Sequence, residues 1–185
     1  TLSRRGNGLS VSAKATSKNV KPAQLVVDST GLKIFGEGEW LEQKHKTKRK
    51  RRPWRKLHLG LDLVSGQIVC SDLTTEDIGD PTALPGLLDQ IDGPVDLFLA
   101  DAAQNPSIRD RHIADIRARG RMAWQKASGY NQRSRGETLM GRWKTVIGPK
   151  LKARSFENQK TEARIGVRIL NRMTELGRPN FERTA

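Results

Sequence analysis

The stretch Gln24-Leu25-Val26-Val27-Asp28-Ser29-Thr30-Gly31 decides the fold of this chain. Its apolar, partly β-branched run ends in an acid, and small polar residues follow, which predicts a strand and its exit turn. A second short strand is predicted over 32–35, before glycines interrupt it. The run Val95-Asp96-Leu97-Phe98-Leu99-Ala100 is also apolar and is followed by another acid, Asp101. Two strands are therefore predicted to end at a carboxylate.

The remaining apolar patterns predict a hairpin and several helices. Ser65-Gly66 separates two alternating segments, and a two-residue loop of this kind joins antiparallel strands over 57–64 and 67–73. Asp80 is predicted to be the N-cap of a helix that starts with Pro81. The predicted helices cover 80–93, 107–119, 133–147 and 156–176. This order of elements indicates an α/β fold, with a mixed sheet covered by helices.

The composition points to a polyanionic partner. The 34 Lys and Arg exceed the 20 Asp and Glu and give a formal net charge of +14, whose self-repulsion a nucleic acid would neutralise. A basic membrane-surface protein is the alternative, but the longest helical pattern has no wide apolar face. No apolar stretch approaches the roughly 20 residues of a membrane span. We therefore expect a cytoplasmic protein that binds nucleic acid and has no membrane partner.

Cysteine and histidine usage excludes a disulfide or zinc framework. Cys70 is the single cysteine, and no Cys or His pair has the spacing of zinc ligands. His45, His58 and His112 are scattered along the chain and are predicted to be surface or loop residues. Residues 1–22 are polar and without periodicity, which predicts a flexible leader.

The segment from Lys44 to Lys56 holds nine Lys or Arg and no acid. No core could accept so many cations, so the segment is predicted to be a solvated or ligand-facing loop. Within it, Trp54 either packs the loop onto the domain or stacks on a base. Packing is favoured, because tryptophan buries a large apolar area.

The stretch from Tyr130 to Lys144 has one polar stripe if it is helical. At about 100° per residue, four side chains fall within an arc of roughly 60°, namely Tyr130, Arg133, Glu137 and Lys144. The opposite side is predicted to anchor the helix in the core through Leu139, Trp143 and Val146. A lone Glu on such a stripe is most often a solvated charge with ion-pair partners.

Asp28 and Asp101 favour a second interpretation of Glu137. If the two acid-ending strands are neighbours, their carboxylates converge at one edge of the sheet, where α/β folds place their sites. Three clustered carboxylates repel each other, and a bound dication, with magnesium expected, makes such a cluster tolerable. Two ions about 4 Å apart can stabilise the attacking and leaving oxygens of a phosphoryl displacement. The pattern therefore predicts a metal-dependent site for nucleic-acid chemistry.

Four sequence blocks resemble those of the bacterial insertion-sequence DDE transposases. They are Val26-Val27-Asp28-Ser29-Thr30-Gly31, Trp54-Arg55-Lys56-Leu57-His58-Leu59-Gly60, Leu99-Ala100-Asp101 and Tyr130-x2-Arg133-x3-Glu137-x6-Lys144. The last block matches the Tyr-Arg-Glu-Lys signature of that family at every spacing. The resemblance spans residues 24–178.

The resemblance implies a ribonuclease-H-like fold, a mixed sheet flanked by helices, in a catalytic domain over 23–180. It implies that Asp28, Asp101 and Glu137 hold two Mg²⁺ or Mn²⁺ ions and catalyse strand cleavage and strand transfer of an insertion sequence. Tyr130 would stack on or position a base. DNA phosphates would be contacted by Arg133, Lys144, Lys48, Arg49, Lys50, Arg51, Arg52, Arg55 and Lys56.

The same resemblance implies partners and a location. The DNA partners would be the transposon ends and the target, and transposases of this kind usually act as homodimers across paired ends. The protein would lie in a bacterial cytoplasm and at the nucleoid when bound to DNA.

The chain departs from the family pattern after Asp101. The family usually continues with Gly-Ala-Tyr-Asp, whereas this chain has Ala102-Ala103-Gln104-Asn105. The interval to Tyr130 is also shorter, as if a strand between 102 and 129 had been lost, which would expose a sheet edge and tilt Glu137. Two alternatives follow: a degenerate copy that binds DNA without cutting it, and a structural RNA-binding protein.

Overall fold

The computed structural model describes residues 23–34, 54–100 and 106–177. The strands are β1 (Ala23–Ile34), β2 (Trp54–Asp62), β3 (Ile68–Thr75), β4 (Val95–Ala100) and β5 (Lys150–Leu151). The α-helices are α1 (Asp80–Leu88), α2 (Pro106–Arg119), α3 (Arg121–Ser128), α4 (Ser134–Val146) and α5 (Phe156–Glu175), with a 3₁₀ turn over Tyr130–Arg133.

The five strands form one mixed sheet. Its order is β3-β2-β1-β4, and β5 pairs with the far end of β1. β2 runs antiparallel to β1 and β3, whereas β4 and β5 run parallel to β1. The predicted α/β class, a ribonuclease-H-like mixed sheet flanked by helices, is confirmed.

β1 is a single strand of 12 residues. The predicted exit turn at Ser29-Thr30-Gly31 and the separate strand after it were therefore wrong. The antiparallel ladder to β2 runs on to Lys33, opposite Trp54, and keeps these small residues extended. Gly31 allows a close approach, because a Cβ there would lie 3.0 Å from the Trp54 ring. Asp28 consequently lies inside β1 and not at its C-terminal end.

The predicted antiparallel pair is confirmed as β2 and β3, but the predicted two-residue loop was wrong, because the Asp62 N–H donates to the Gln67 carbonyl at 2.9 Å and encloses residues 63–66. The Asp62 carboxylate accepts hydrogen bonds from the Ser65 backbone N–H at 2.9 Å and from the Ser65 hydroxyl at 2.6 Å, which closes the turn. β2 begins at Trp54, so the last three residues of the predicted basic loop are in a strand instead. The earlier part of that loop, 44–53, lies outside the described residues.

Three helix predictions need correction. The N-cap of α1 is Gly79, and Asp80 is the first helical residue, because its carboxylate binds side chains of the sheet and not the helix backbone. α1 also ends at Leu88, earlier than predicted, and α3 was not predicted. The predictions of α2 and α5 were close to the observed bounds.

The larger hydrophobic core lies between the sheet and the pair α4 and α5. Trp143 of α4 is 1% exposed at its centre, next to Gly166 of α5, where a Cβ would overlap the Trp143 ring. Leu139 is buried as predicted, but Val146 is 43% exposed, so its predicted core position was wrong. A smaller cluster of Leu25, Val27, Cys70 and Leu87 joins α1 to the other face.

The outer edge of β4 is open in the part of the chain that the structure describes. Residues 106–128 form α2 and α3, and in the described ranges β4 pairs with β1 alone. Phe98 of β4 is 40% exposed. The predicted loss of a strand between 102 and 129 stays a prediction, because residues 101–105 lie outside the described residues.

Asn171→Ala is expected to destabilise the fold. The Asn171 side chain accepts a hydrogen bond from the Ile68 N–H and donates one to the Ile68 carbonyl, both at 2.8 Å and buried. Its removal leaves two buried backbone groups unpaired, which costs about 2–4 kcal/mol. Urea unfolding measures the loss. Asn131→Ala, at an exposed position, is the control and is expected to change stability by less than about 0.5 kcal/mol. Equal effects of the two variants would contradict this role of Asn171.

Candidate active site

Asp28 lies at a gap in the sheet. β2 covers one edge of β1 along its length, and Asp28 pairs with Leu59 there. On the other edge, the described strands pair with residues 23–27 through β4 and with 33–34 through β5. Neither β4 nor β5 pairs with residues 28–32 of β1 on that edge. The Asp28 carboxylate is half-buried, and its Oδ1 accepts a hydrogen bond of 2.8 Å from the Ser29 backbone N–H.

Gly136 brings α4 directly onto β1 at this gap. A Cβ on Gly136 would lie 3.0 Å from Val26 Cγ1, 3.4 Å from Asp28 Cβ and 3.6 Å from Asp28 Oδ2. Helix and strand therefore meet with no side chain of residue 136 between them. A larger residue would move the helix away from the Asp28 carboxylate.

Two further residues of the predicted stripe lie on α4. Glu137 is in the first turn of the helix, and Lys144 is in the last turn. Both side chains are exposed, so they can reach a ligand in solvent. An acid at the start of a helix and a base at its end are each favoured by the helix dipole. Glu137 directly follows the residue that contacts Asp28.

Tyr130 and Arg133 meet in the 3₁₀ turn before α4. The assumption of α-helical periodicity from Tyr130 onward was wrong for this first turn. In a 3₁₀ turn, residues three apart are eclipsed. The Arg133 Nη1 accordingly donates a hydrogen bond of 3.0 Å to the Tyr130 hydroxyl, and the Tyr130 ring lies 5.0 Å from the Trp124 ring. The Tyr130 side chain remains 40% exposed.

Several predicted site residues lie outside the described residues, namely Asp101, Lys48, Arg49, Lys50, Arg51 and Arg52. β4 ends at Ala100, which pairs with Val27, the neighbour of Asp28. Within the described ranges, no three His, Cys, Asp or Glu side chains lie together as a metal site would require. Asp101 is not among these residues, because it lies outside the described ranges.

Arg55 and Lys56, predicted to bind DNA phosphates, have partners inside the protein. The Arg55 Nε donates to Gln159 Oε1 at 2.9 Å, and its guanidinium lies 4.8 Å from the Phe156 ring centre. The Lys56 Nζ lies 3.0 Å from Asp80 Oδ1. Both side chains are half-buried, so they join β2 to α5 and to α1.

A buried polar cluster lies on the opposite face of the sheet. His58 is 0% exposed, so its prediction as a surface or loop residue was wrong. Its Nδ1 lies 3.0 Å from Asp80 Oδ1, and its Nε2 lies 2.9 Å from Thr74 Oγ1. The Ser29 side chain lies on the same face, because Ser29 pairs with His58 in the antiparallel ladder. We call Ser29, Lys56, His58, Thr74 and Asp80 the His58 cluster.

The charges in the His58 cluster follow from burial and hydrogen bonding. Desolvation lowers the pKa of His58 and outweighs the opposing pull of Asp80. Desolvation raises the pKa of Asp80, but hydrogen bonds from Lys56 and Ser29 and the charge of Lys56 bring the net pKa below its usual value. Asp80 is therefore ionised and His58 neutral near pH 7. The Thr74 hydroxyl also donates to the Thr75 carbonyl at 3.2 Å, so the direction of its bond with Nε2 depends on the tautomer of His58.

The sequence contained a signal for this cluster. Lys56 and His58 alternate with Leu57 and Leu59 in an apolar strand, which puts both polar side chains on one face. Their partner Asp80 lies more than 20 residues further along the chain. No local pattern connects it with them. His45 lies outside the described residues, and His112 belongs to α2.

The mixed sheet, with Asp28 at its gap and α4 packed over it, defines a ribonuclease-H-like α/β protein. The family model described as "Transposase DDE domain" matches residues 20–172. This chain belongs to the transposase DDE domain family, which confirms the predicted resemblance at the level of the family. No solved structure matches the chain. Among the helices of the described residues, none has the length and apolar character to cross a membrane.

Gly136→Ala is expected to separate α4 from β1. The added methyl would lie 3.0 Å from Val26 Cγ1, so the variant should lose about 1–3 kcal/mol of stability by overpacking. Gly141→Ala is the matched control in the same helix, because a Cβ there meets nothing within 4 Å. It should gain about 0.5–1 kcal/mol from the lower entropy of the unfolded chain. Chemical unfolding compares them, and a gain in both variants would contradict the close contact.

Proposed function

We propose that this protein is a DNA transposase that catalyses metal-dependent strand cleavage and strand transfer of an insertion sequence. Asp28, Asp101 and Glu137 form its metal-binding triad in this proposal. The observation that carries it is the contact of Gly136 with Asp28. Since Glu137 is bonded to Gly136, its carboxylate starts from a backbone position beside Asp28.

The register of β4 supports a place for Asp101 in the same site. Ala100 pairs with Val27 across neighbouring parallel strands, which are about 4.8 Å apart. Asp101 is bonded to Ala100, and consecutive Cα atoms are about 3.8 Å apart. The next residue in sequence is Asp28 after Val27 and Asp101 after Ala100. Each acid therefore follows one member of a pair of neighbouring backbone positions, which supports a shared site.

The donor set fits a hard dication. Three carboxylates offer only oxygen ligands, which Mg²⁺ and Mn²⁺ prefer. When bound as a pair, such ions stabilise the charge on the attacking and leaving oxygens of a phosphoryl displacement. The residues of the chain would hold the ions and orient the phosphate between them. A water molecule or a terminal 3′-hydroxyl would serve as the nucleophile.

We further propose that DNA lies along the polar side of α4. Arg133 and Lys144 would contact phosphates, and Tyr130, held between Trp124 and Arg133, would stack on or position a base. Further phosphate contacts would come from Lys48, Arg49, Lys50, Arg51 and Arg52. Arg55 and Lys56 would contribute less to DNA binding, because their charged groups already have partners inside the protein. The DNA would be the transposon ends and the target, bound by a homodimer.

Asp28→Asn is expected to abolish nicking of plasmid or transposon-end DNA in Mg²⁺ or Mn²⁺. The substitution keeps the shape of the side chain but removes the charge that holds the ions. Asp89→Asn, at the exposed C-cap of α1, makes the same change elsewhere and should nick like the wild type. Equal, negligible nicking by all three proteins would favour the degenerate DNA-binding copy over an active transposase.

Arg133→Ala is expected to weaken duplex DNA binding and to lower its salt dependence. Each lost phosphate contact reduces the slope of log K against log salt by about 0.9. Arg168→Ala, exposed on α5, removes the same charge away from the proposed DNA path and should leave this slope unchanged. Fluorescence anisotropy at several salt concentrations measures both slopes. Tighter binding of RNA than of duplex DNA at equal salt would favour the structural RNA-binding alternative.

A further inference from the structure

Tyr130 is an exposed aromatic side chain just before the helix that bears Glu137. It is the single tyrosine of the chain, it lies in the 3₁₀ turn that precedes α4, and 40% of it is exposed. A tyrosine can turn about its χ1 and χ2 torsions, so at the surface its ring keeps one orientation only if neighbouring groups hold it. The contacts of this ring therefore decide which part of it a ligand meets.

Trp124 of α3 makes the aromatic contact of Tyr130. The two ring centres are 5.0 Å apart and the ring planes are inclined by 38°. This distance is within the range of about 4.5–7 Å that favours aromatic pairs. Trp124 is only 8% exposed, so the interior of the protein sets its position, whereas the Tyr130 ring lies at the surface. Trp124 is consequently the fixed member of the pair.

The chain between the two rings is held by a short turn. The Ser128 hydroxyl donates to the Trp124 carbonyl at 2.7 Å and accepts from the Tyr130 N–H at 3.4 Å. Gly129 has a φ of 66°, a left-handed conformation that glycine adopts readily. A Cβ on Gly129 would lie 3.7 Å from Leu97 Cδ2, so the turn lies against β4. The end of α3 and the backbone of Tyr130 are thus joined next to the sheet.

Arg133 contacts Tyr130 from the hydroxyl end. Its Nη1 donates to the Tyr130 hydroxyl at 3.0 Å, and its guanidinium carbon lies 5.9 Å from the ring centre. The guanidinium of Arg55, by comparison, lies 4.8 Å from the ring centre of Phe156. The hydrogen bond and the longer distance put Arg133 near the hydroxyl end of the ring. This contact leaves ring area of Tyr130 exposed to a ligand.

We propose that Trp124 is a positioning residue that holds the Tyr130 ring in the orientation in which its exposed part stacks on an unpaired nucleobase. This inference rests on the proposed function, in which Tyr130 contacts a base of DNA. Stacking of one base on an aromatic side chain contributes about 5- to 150-fold in affinity and tolerates any base, because every base has a π-face. A ring that is already held in place loses less conformational freedom on binding.

The burial of Trp124 distinguishes this role from direct contact with DNA. A tryptophan that stacked on a base would have to expose its ring, whereas Trp124 is 8% exposed. The other alternative is a purely structural role, in which Trp124 stabilises α3 and the orientation of Tyr130 does not depend on it. An apolar substitution that removes the aromatic ring but fills much of its space separates the two roles.

The test compares Trp124→Leu and Trp124→Phe in the full chain. Val167→Ala, in the core under α5, is the control for loss of stability. The first readout is the ¹⁹F resonance of protein labelled with 3-fluorotyrosine, which gives one signal because Tyr130 is the single tyrosine. The second readout is the quenching of 2-aminopurine at the unpaired end of a DNA duplex, with affinity measured by anisotropy.

The proposal expects Trp124→Leu to move the ¹⁹F resonance toward that of free 3-fluorotyrosine. Quenching should fall, and affinity should fall by up to the 5- to 150-fold, roughly, that a stacked base contributes. Trp124→Phe keeps an aromatic contact and should restore both readouts, whereas Val167→Ala should lower the melting temperature and change neither. If Trp124→Leu does not fold, Trp124→Met takes its place, because methionine fills irregular space.

Two results would overturn the positioning role. One is an unmoved ¹⁹F resonance in folded Trp124→Leu, and the other is an equal movement of that resonance in Trp124→Leu and Val167→Ala. If the resonance moves as expected but wild type and Tyr130→Ala quench 2-aminopurine equally, then Trp124 does position the ring and the proposed contact of Tyr130 with a base fails. The two proposals are thereby tested separately.

Discussion

The close packing of α4 on β1 is the contact on which the candidate site depends. Gly136 lets the helix backbone approach Val26 and Asp28 to a distance that a side chain would prevent. The same helix is anchored on its buried side by Trp143, which fills the space above Gly166 of α5. Gly136 thus sets the position of the helix against β1, and Trp143 with Gly166 sets its position against α5. Glu137 owes its position beside Asp28 to this packing.

The long central strand gives the site a second support. Because its side chains alternate, β1 presents Asp28 to α4 and Ser29 to α1 without any change of direction. Pairing with β2 over most of its length keeps the strand straight past the end of β4. Among the described strands, that difference in length leaves β1 without a strand partner on this edge at Asp28. An exit turn at this point would have ended the pairing of β1 with β2 at Asp28.

Several of the basic side chains that contribute to the net charge of +14 have partners inside the protein. Arg55 and Lys56 bind groups of α5 and α1. Arg135 donates to the Leu63 carbonyl, and Arg142 donates to the Leu170 carbonyl and the Thr174 hydroxyl. These side chains join a helix to the sheet or one helix to another. The exposed basic side chains beside Glu137 are a small part of all the basic side chains. Composition therefore identifies a class of partner but not the surface that binds it.

The sequence by itself determined the class of fold, the antiparallel β2–β3 pair and the helix that bears Glu137, and it is the source of the three acids that we propose for the site. These features depend on local periodicity and on motif spacing, which are properties of neighbouring residues. Tertiary structure alone decided that β1 continues past Asp28, that His58 is buried, and that Asp80 binds the sheet and does not cap its helix. Each of these depends on a partner far along the chain, such as Trp54 beside Gly31 or Asp80 beside His58. Local propensity cannot register such a partner, because the contact exists only after the strands and helices have packed.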